Sequence, residues 1–360
     1  MLIINASNVK GGGALQVTLS LINDLFDRSD ILFIVSSVVN DNLKSNKINP
    51  KNLVVHDFIF FKSNLFFYRL LLNGHYNTFF TIFGPLYFIF TPKNVKFVSG
   101  FAQPWVVYPK YNILNLRLFL IYFFKYKIQS YFFKKNNILI CESEFVETLI
   151  KRKFKDVNTY SVPNAISSII SDSQYTKLYS SFDGCLNFGL PSGYYLHKNL
   201  IELFHIQHHL KVEFDINSKI HLTLTQDNVD DLISKLPKHY CPILFNHGLV
   251  SSSGIENFYK CLDIVILPSH LECFSVTPLE SLYFGIKTFV RDYSFNRAVY
   301  LDHVEYYNDV QTLSYNINDF IKYKYNSYDS CPGHQFSSSF TSGKRTSLYL
   351  KIVKELYVQK

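Results

Sequence analysis

The chain has 360 residues, a length that fits two domains, each large enough for its own core. Its 48% hydrophobic and 18% charged residues exclude a disordered chain, and its net charge of +8 fits an anionic partner: nucleic acid, a membrane surface or a phosphorylated ligand. The 6 cysteines form no CxxC pair, which excludes the usual zinc spacings and a disulfide-rich scaffold and favours a reducing compartment.

Short strand-like runs alternate with longer helical patterns in the first half of the chain. Runs of β-branched, aliphatic and aromatic residues predict strands at Leu2–Asn5, Ile31–Val35, Leu53–Val55, Phe79–Phe83, Val95–Ser99, Ile138–Cys141 and Thr159–Val162. Apolar residues at helical spacing predict helices at Ala14–Phe26, Leu114–Lys134 and Ser143–Phe154. This alternation predicts a mainly parallel sheet with helices on both faces.

A connector at residues 161–174, with Pro163 and Asn164 as turn residues, leads into a second half of the same type. Strands are predicted at Leu186–Leu190, Ile220–Thr225, Ile243–Asn246, Ile264–Leu267 and Lys287–Val290. Helices are predicted at Lys198–Val212, Val229–Leu236, Gly254–Leu262 and Pro278–Phe284, and an amphipathic helix is predicted in residues 342–360. Two such domains are expected to bind ligands beyond the carboxyl ends of their strands, in the cleft between them.

The most apolar segment spans residues 116–133, but Arg117, Lys125 and Lys127 interrupt it, so no membrane-spanning helix is predicted. Two interpretations stay open for this segment. It is either a basic, aromatic helix at a membrane surface or a buried helix whose lysines reach solvent. The N-terminal residues also lack the pattern of a signal peptide, so a cytoplasmic location is expected.

Three consecutive glycines, Gly11, Gly12 and Gly13, follow the first predicted strand and precede a helix. Glycine lets a backbone approach a ligand closely, and a helix start offers N–H groups and a positive dipole end. Neither the dinucleotide-binding nor the P-loop pattern fits, because position 16 is Gln and Gly13 is followed by Ala and Leu. The run predicts a ligand-facing loop rather than an ordinary connector.

Lys198 lies at the start of a predicted helix, after the turn that follows the Leu186–Leu190 strand. A lysine there is unfavourable for the helix dipole unless an anion lies between them. The residue is therefore either a contact for an anionic ligand or a solvated surface lysine.

Two glutamates follow the strand Ile264–Leu267, in the stretch PSHLECFSVTPLESLYFG. Thr277, Pro278 and Glu280 fit a capping box, in which Glu280 would only serve the start of its helix. Glu272 lies in the loop beyond the strand end, where no structural role is evident. The residues between the glutamates could present backbone N–H groups to an anion.

Taken together, these stretches resemble the large group-1 (family 4) retaining glycosyltransferases. The resemblance covers nearly the whole chain and includes CESEFVETL, VPNAI, YYLHKNL and FNHGLVSSSGIENFYKCLDIVILPS. It implies a GT-B fold, with two Rossmann-like domains whose parallel sheets face a central cleft. The implied boundaries are 1–165 for an N-terminal domain on the acceptor side, 166–338 for a nucleotide-sugar donor domain and 339–360 for a helix that packs back on the N-terminal domain.

The resemblance also implies residue roles. Glu272 would be the catalytic residue beside the donor sugar, Lys198 would neutralise the diphosphate, and Glu280 would hold the ribose. The remaining donor-side contacts would come from backbone or loop positions: Phe274, Ser275, Val276, Val250 and Gly11–Gly13. No Asp-x-Asp metal motif is evident, so no metal or other cofactor is expected beyond the nucleotide-sugar substrate.

Three departures from the family pattern matter. The stretch LPSGYY lacks the arginine that many relatives carry before the lysine, and Cys273 and Ser275 replace two glycines. Phe101, Ala102 and Gln103 occupy the place of a family histidine, so Gln103 is the candidate acceptor contact.

The expected function is metal-independent, retaining transfer of a sugar from a nucleotide-diphosphate donor to a glycan. The acceptor is expected to be lipid-linked, in bacterial surface polysaccharide (O-antigen or capsule) synthesis, with the protein at an anionic inner membrane face and with no nucleic-acid partner. One alternative is a sugar-nucleotide epimerase, for which His197, His205, His208, His209 and His247 are acid/base candidates. The other is a non-catalytic protein that binds membrane surfaces.

Overall fold

The computed structural model describes residues 1–85, 87–89, 91–109, 114–174, 176–177, 179, 182–251 and 254–358. The chain forms two compact units, and each has its own core. Unit 1 comprises Met1–Ala165 together with Thr341–Lys360, and unit 2 comprises Ile166–Phe340.

Unit 1 contains a seven-stranded parallel sheet in the order β3-β2-β1-β4-β5-β6-β7. Its strands are β1 (Leu2–Ala6), β2 (Ile31–Val35), β3 (Leu53–Val55), β4 (Thr78–Thr81), β5 (Lys96–Phe101), β6 (Ile138–Cys141) and β7 (Asn158–Ser161). All residues of β1, β2, β4 and β6 are buried, as expected for a parallel sheet covered on both faces. The helices are α1 (Gly12–Leu25), α2 (Ser37–Ser45), α3 (Phe60–Asn73), α4 (Pro104–Val107), α5 (Leu116–Phe133) and α6 (Glu144–Lys153).

Unit 2 contains a six-stranded parallel sheet in the order β10-β9-β8-β11-β12-β13. Its strands are β8 (Cys185–Gly189), β9 (Asn217–Leu222), β10 (Leu244–Asn246), β11 (Ile264–Leu267), β12 (Lys287–Arg291) and β13 (Glu305–Tyr307). The helices are α7 (Ser168–Ser171), α8 (Ile201–Phe214), α9 (Gln226–Ser234), α10 (Ile255–Lys260), α11 (Thr277–Tyr283), α12 (Ser294–Tyr300), α13 (Val310–Asp319) and α14 (Cys331–Ser338). A short 3-10 helix, Leu196–Lys198, precedes α8.

The last helix, α15 (Ser342–Val358), belongs to unit 1, where it packs against α1. Tyr349, Ile352 and Val353 are buried in the unit 1 core. Arg345 is also buried and donates to Asn164 Oδ1, on the segment that follows β7.

The observed elements confirm the predicted β/α alternation and parallel sheets, with shifts of a few residues at most ends. The sequence pattern does not predict β13 or the helices α2, α3, α4, α7, α12, α13 and α14. The interpretation of residues 116–133 as a buried helix is wrong, because only Tyr126, Gln129 and Phe133 of α5 are buried. Within the described ranges, no helix has both the length and the apolar character needed to cross a bilayer.

The strand order reverses direction once in each sheet. In unit 1 the reversal lies between β1 and β4, and in unit 2 it lies between β8 and β11. At such a point the loops beyond the carboxyl ends of the two central strands diverge to opposite sides, which leaves a crevice for a ligand. The predicted residues after β1, β8 and β11 therefore follow the strands that flank these two points.

Candidate functional site

Lys198 and Glu272 form an ion pair at the reversal point of the unit 2 sheet. Lys198 follows β8, Glu272 follows β11, and the two strands are neighbours. Lys198 Nζ lies 2.6 Å from Glu272 Oε1, and the side chains are only 18% and 10% exposed. The structure thus brings together the two residues predicted to contact the diphosphate and the sugar. The expectation that Glu272 has no structural role is wrong, because the Glu272 carboxylate is the ion-pair partner of Lys198.

A backbone hydrogen bond joins the same two loops beside this pair. The His270 N–H donates to the His197 carbonyl at 2.7 Å, so the residues before Lys198 and Glu272 are held together. Burial lowers the pKa of His197 to about 4, although the nearby Glu272 carboxylate acts in the opposite direction. At neutral pH the imidazole is therefore uncharged, and Lys198 is the cation that faces Glu272.

A buried polar network fixes the turn that carries Lys198. Asn199 has left-handed backbone angles (φ 52°), and its side-chain amide donates to Glu202 Oε2 at 2.8 Å and to the Pro268 carbonyl at 3.4 Å. The Glu202 carboxylate is buried and also accepts from Arg291, at the end of β12, and from the Tyr307 hydroxyl, at the end of β13. The network connects four loops or strand ends at one edge of the sheet.

Glu280 is not part of a capping box. Val276 is the N-cap of α11, no side chain caps this helix, and Thr277 is already its first residue. The Glu280 carboxyl is buried, and the Tyr259 hydroxyl donates to its Oε2 at 2.7 Å. Burial raises the pKa of Glu280 to about 7 from the ordinary 4.5, even though the Tyr259 hydrogen bond favours the ionised form.

The raised pKa predicts that Glu280 makes unit 2 less stable as the pH rises. The Glu280 carboxyl ionises near pH 4.5 in the unfolded protein and near pH 7 in the folded protein. Its contribution to the free energy of unfolding is therefore fully present below pH 4.5, declines between pH 4.5 and 7 and is lost above pH 7. This decline in the free energy of unfolding is about 3 kcal/mol. We expect Glu280→Gln to reduce the decline in the free energy of unfolding between pH 5 and 7.5, measured by urea denaturation. Glu213→Gln, which changes an exposed carboxyl of α8, should keep the wild-type decline, and an equal decline in all three proteins would contradict the prediction.

The other predicted donor contacts of unit 2 lie beyond the same strand edge. Phe274 is half-buried between Tyr300 and Phe340, Ser275 is buried, and the Ser275 carbonyl accepts from the Tyr300 hydroxyl at 2.5 Å. Val276 is half-buried at the start of α11. Val250 follows β10, two strands away from β8, and packs against the core. Of these residues, only Phe274, Ser275 and Val276 share a loop with Glu272.

In unit 1 the glycine run lies at the carboxyl end of β1, beside the strand reversal. Gly11 and Gly12 have φ of 154° and 64°, and a side chain added at any of the three glycines would meet open space. The neighbouring Asn8 side chain donates to the Phe83 carbonyl after β4 at 2.8 Å, which ties the two central loops together. Gln103 follows β5, at the N-cap of α4, and is half-exposed.

Sequence reasoning missed three residues of this edge: Asn199, Glu202 and Arg291. Arg291 directly follows the predicted strand Lys287–Val290, so the strand-end rule that selected Glu272 could have selected it. The epimerase candidates are dispersed instead. On α8, His205 and His208 contact Tyr240, and His209 lies near Phe214. His247 forms a hydrogen bond with His221. Of the five candidates, only His197 lies beside Glu272.

No protein-family model matches the chain. No curated protein matches it either. The chain is similar to a glycosyltransferase structure from Rickettsia africae, with 12% identity, a TM-score of 0.67 and coverage of 100% of this chain and 99% of the other. It is also similar to HepE of Anabaena in complex with UDP and glucose (13% identity, TM-score 0.67, coverage 99% and 100%). The apo lipopolysaccharide outer core galactosyltransferase WaaB gives 13% identity, a TM-score of 0.60 and coverage of 98% and 99%.

These similarities extend over the full length of each chain. At this level of identity they establish the fold, which is GT-B: two α/β units, each built on a parallel sheet, here of seven and six strands. The predicted fold class is therefore confirmed.

Proposed function

We propose that this protein is a glycosyltransferase that moves a sugar from a nucleotide-diphosphate donor to a glycan acceptor, with retention of configuration. The observation that carries the proposal is the Lys198–Glu272 ion pair at the strand reversal of unit 2. A cation and a carboxylate at this edge match the two needs of the reaction, which are a partner for the leaving diphosphate and a carboxylate at the sugar.

Lys198 is the proposed partner of the diphosphate. Transfer breaks the bond between the anomeric carbon and a phosphate oxygen, and the bonding electrons stay on the leaving diphosphate. A fixed cation lowers the barrier because it stabilises this charge as it develops. The Lys198 side chain is half-buried, so solvent and salt screen its interaction with phosphate less than they would at the surface. Lys198 and loop amides, rather than a metal ion, are proposed to supply this stabilisation.

Glu272 is the proposed catalytic residue. A carboxylate near the anomeric carbon stabilises the positive charge that the sugar ring gains in the transition state. This carboxylate is paired with Lys198, so the donor diphosphate would compete with Glu272 for the same ammonium group. Donor binding would then leave Glu272 available to the sugar.

The remaining donor contacts are proposed by position. The Glu280 carboxylate would accept hydrogen bonds from the ribose hydroxyls, and the backbone at Phe274, Ser275 and Val276 would contact phosphate or sugar. Val250 would lie beside the base, and Gly11–Gly13 would approach the donor from unit 1.

Because ribose hydroxyls donate to the ionised form of Glu280, whose pKa is raised to about 7, donor affinity should increase from pH 6 to pH 8.

The acceptor is proposed to be a lipid-linked glycan in bacterial surface polysaccharide synthesis, with residues 1–165 on the acceptor side, residues 166–338 on the donor side and Gln103 as an acceptor contact. The similarity to WaaB, a lipopolysaccharide outer core galactosyltransferase, supports this choice of acceptor, and the similarity to HepE with bound UDP and glucose supports a nucleotide-sugar donor. A cytoplasmic protein at the anionic inner face of the cell membrane would fit such a substrate and the net charge of +8.

Replacing Lys198 by Ala is expected to weaken the binding of a nucleoside diphosphate by about 10- to 100-fold, because a charge-assisted contact is lost. Isothermal titration with UDP, GDP and ADP measures the change for whichever nucleotide binds the wild type. Lys287→Ala is the matched control. It removes a Lys–Glu pair of 2.5 Å from the opposite, amino-terminal edge of the same sheet.

The control variant should bind the nucleotide as the wild type does. Equal affinity of the Lys198→Ala variant and the wild type, with both proteins folded, would rule out this assignment of the site. Incubation of the labelled nucleotide sugar without an acceptor tests the epimerase alternative, because an epimerised product would favour that activity.

A further inference from the structure

Helix α5 has an apolar and aromatic surface that no part of the described chain covers. Its exposed large residues are Leu116, Leu120, Ile121, Phe124, Ile128 and Tyr131, and the Phe124 side chain is 61% exposed. The spacing of these residues places them on one side of the helix. A surface helix of a globular protein normally turns such a stripe toward the core, so this arrangement is inverted.

Helix α3 shows the same inversion. Phe61, Leu65, Tyr68 and Leu72 are exposed at helical spacing, with Phe61 at 76%, while Ser63, Phe67 and Leu71 are buried. Lys62 and Arg69 are exposed beside the apolar stripe, as Arg117, Lys125 and Lys127 are on α5.

The two exposed stripes are continuous through aromatic contacts. Phe61 contacts Phe60, Phe60 contacts Phe132, and Phe132 contacts Tyr131, with ring centroids 5.1, 6.4 and 5.4 Å apart. Tyr87 supports the junction because its carbonyl accepts from Asn64 of α3 and its hydroxyl accepts from Gln129 of α5. We call the exposed faces of α3 and α5 the α3–α5 surface.

The positive charge of the chain is concentrated in the segment that builds this surface. Residues 58–141 contain ten Lys or Arg and no Asp or Glu, whereas the rest of the chain contains 26 basic and 28 acidic residues. The α3–α5 surface therefore combines exposed apolar side chains with cations that have no acidic neighbour in the same segment.

We propose that the α3–α5 surface docks on an anionic lipid bilayer. The bilayer interface offers an apolar layer for the aromatic stripes and phosphate headgroups for the flanking lysines and arginines. A second copy of the chain is disfavoured as the occupant, because a symmetric contact through this surface would bring cations against cations. Nucleic acid would satisfy the charge but not the exposed Leu and Ile side chains. The inference extends the membrane location proposed above, and its test needs no sugar donor, so it can fail while the transferase proposal stands.

The test compares two triple variants of the full chain in vesicle flotation. One variant, Phe124→Gln with Lys125→Glu and Lys127→Glu, alters α5. The matched control, Tyr323→Gln with Lys322→Glu and Lys324→Glu, makes the same charge change at an exposed aromatic and two exposed lysines of unit 2. Circular dichroism first establishes that both variants are folded.

The wild type and the control should float with vesicles that contain 30% phosphatidylglycerol in phosphatidylcholine, and the α5 variant should bind at least about tenfold more weakly. Pure phosphatidylcholine vesicles should capture less of the wild type, and added salt should weaken its binding to the anionic vesicles. Equal binding of the α5 variant and the wild type, or an equal loss in both variants, would overturn the proposal. A concentration-dependent dimer that the α5 variant abolishes without lipid would also overturn it, in favour of a second copy.

Discussion

Replacing Glu272 by Gln is expected to slow sugar transfer by about 10²- to 10³-fold, because the transition state loses a carboxylate at the sugar. The same change should leave nucleotide affinity unaltered or increase it. The Glu272 carboxylate pairs with Lys198, and its replacement by an amide leaves the ammonium group available to the diphosphate. Steady-state kinetics with isothermal titration would separate the two effects, since kcat should fall while the dissociation constant of the nucleotide does not rise.

The prediction is specific because Lys198→Ala should weaken nucleotide binding whereas Glu272→Gln should not. Glu305→Gln serves as the control, because Glu305 forms a similar pair with Lys287 at the amino-terminal edge of the same sheet. It should alter neither kcat nor affinity. Weaker nucleotide binding in the Glu272→Gln variant would mean that the ion pair organises the donor site as a unit, and the proposed exchange of partners would be wrong.

The fold was predictable because its central strands carry a strong local signal. The strands Ile31–Val35, Ile138–Cys141 and Ile264–Leu267 are continuous apolar runs, buried on both faces, and were predicted to the residue. Strand β13 consists of Glu-Tyr-Tyr, which contains a charged residue and no aliphatic residue, so it shows no continuous apolar run. Helix α3 escaped prediction for a different reason: its exposed face is as apolar as its buried face, so the sequence lacks the polar stripe that marks a surface helix.

For the site, the sequence identified positions but not partners. Lys198 and Glu272 could each be found because they follow predicted strands. Their ion pair forms because β8 and β11 are neighbours in the sheet. This strand order cannot be read from the sequence around Lys198 or around Glu272. Glu280 also shows that local sequence does not identify the partner of a side chain. A capping box was inferred from local spacing, whereas the actual partner, Tyr259, lies 21 residues earlier on another helix.

Replacing Arg291 by Met is expected to have the largest effect on stability, because it leaves the buried Glu202 carboxylate without its cation. Removing one partner of a buried ion pair costs about 3–5 kcal/mol. For a unit of this size, that corresponds to a fall in melting temperature of about 6–20 °C. Arg297→Met is the control. Arg297 also pairs with an acidic residue near the end of β12, Asp292, but the Arg297 side chain is exposed, so its removal should change the melting temperature little.

The double variant Glu202→Gln with Arg291→Met tests whether the uncompensated charge is the cause. The substituted side chain would be neutral, and its amide oxygen could still accept from the Asn199 amide, so the double variant should melt at a higher temperature than Arg291→Met alone. If both variants melt at the same temperature, the loss comes from the packing of the arginine side chain and not from the charge. Because Asn199 holds the turn that ends at Lys198, Arg291→Met should also raise KM for the donor more than it lowers kcat. Restoration of that KM in the double variant would identify Glu202 and Arg291 as positioning residues for Lys198.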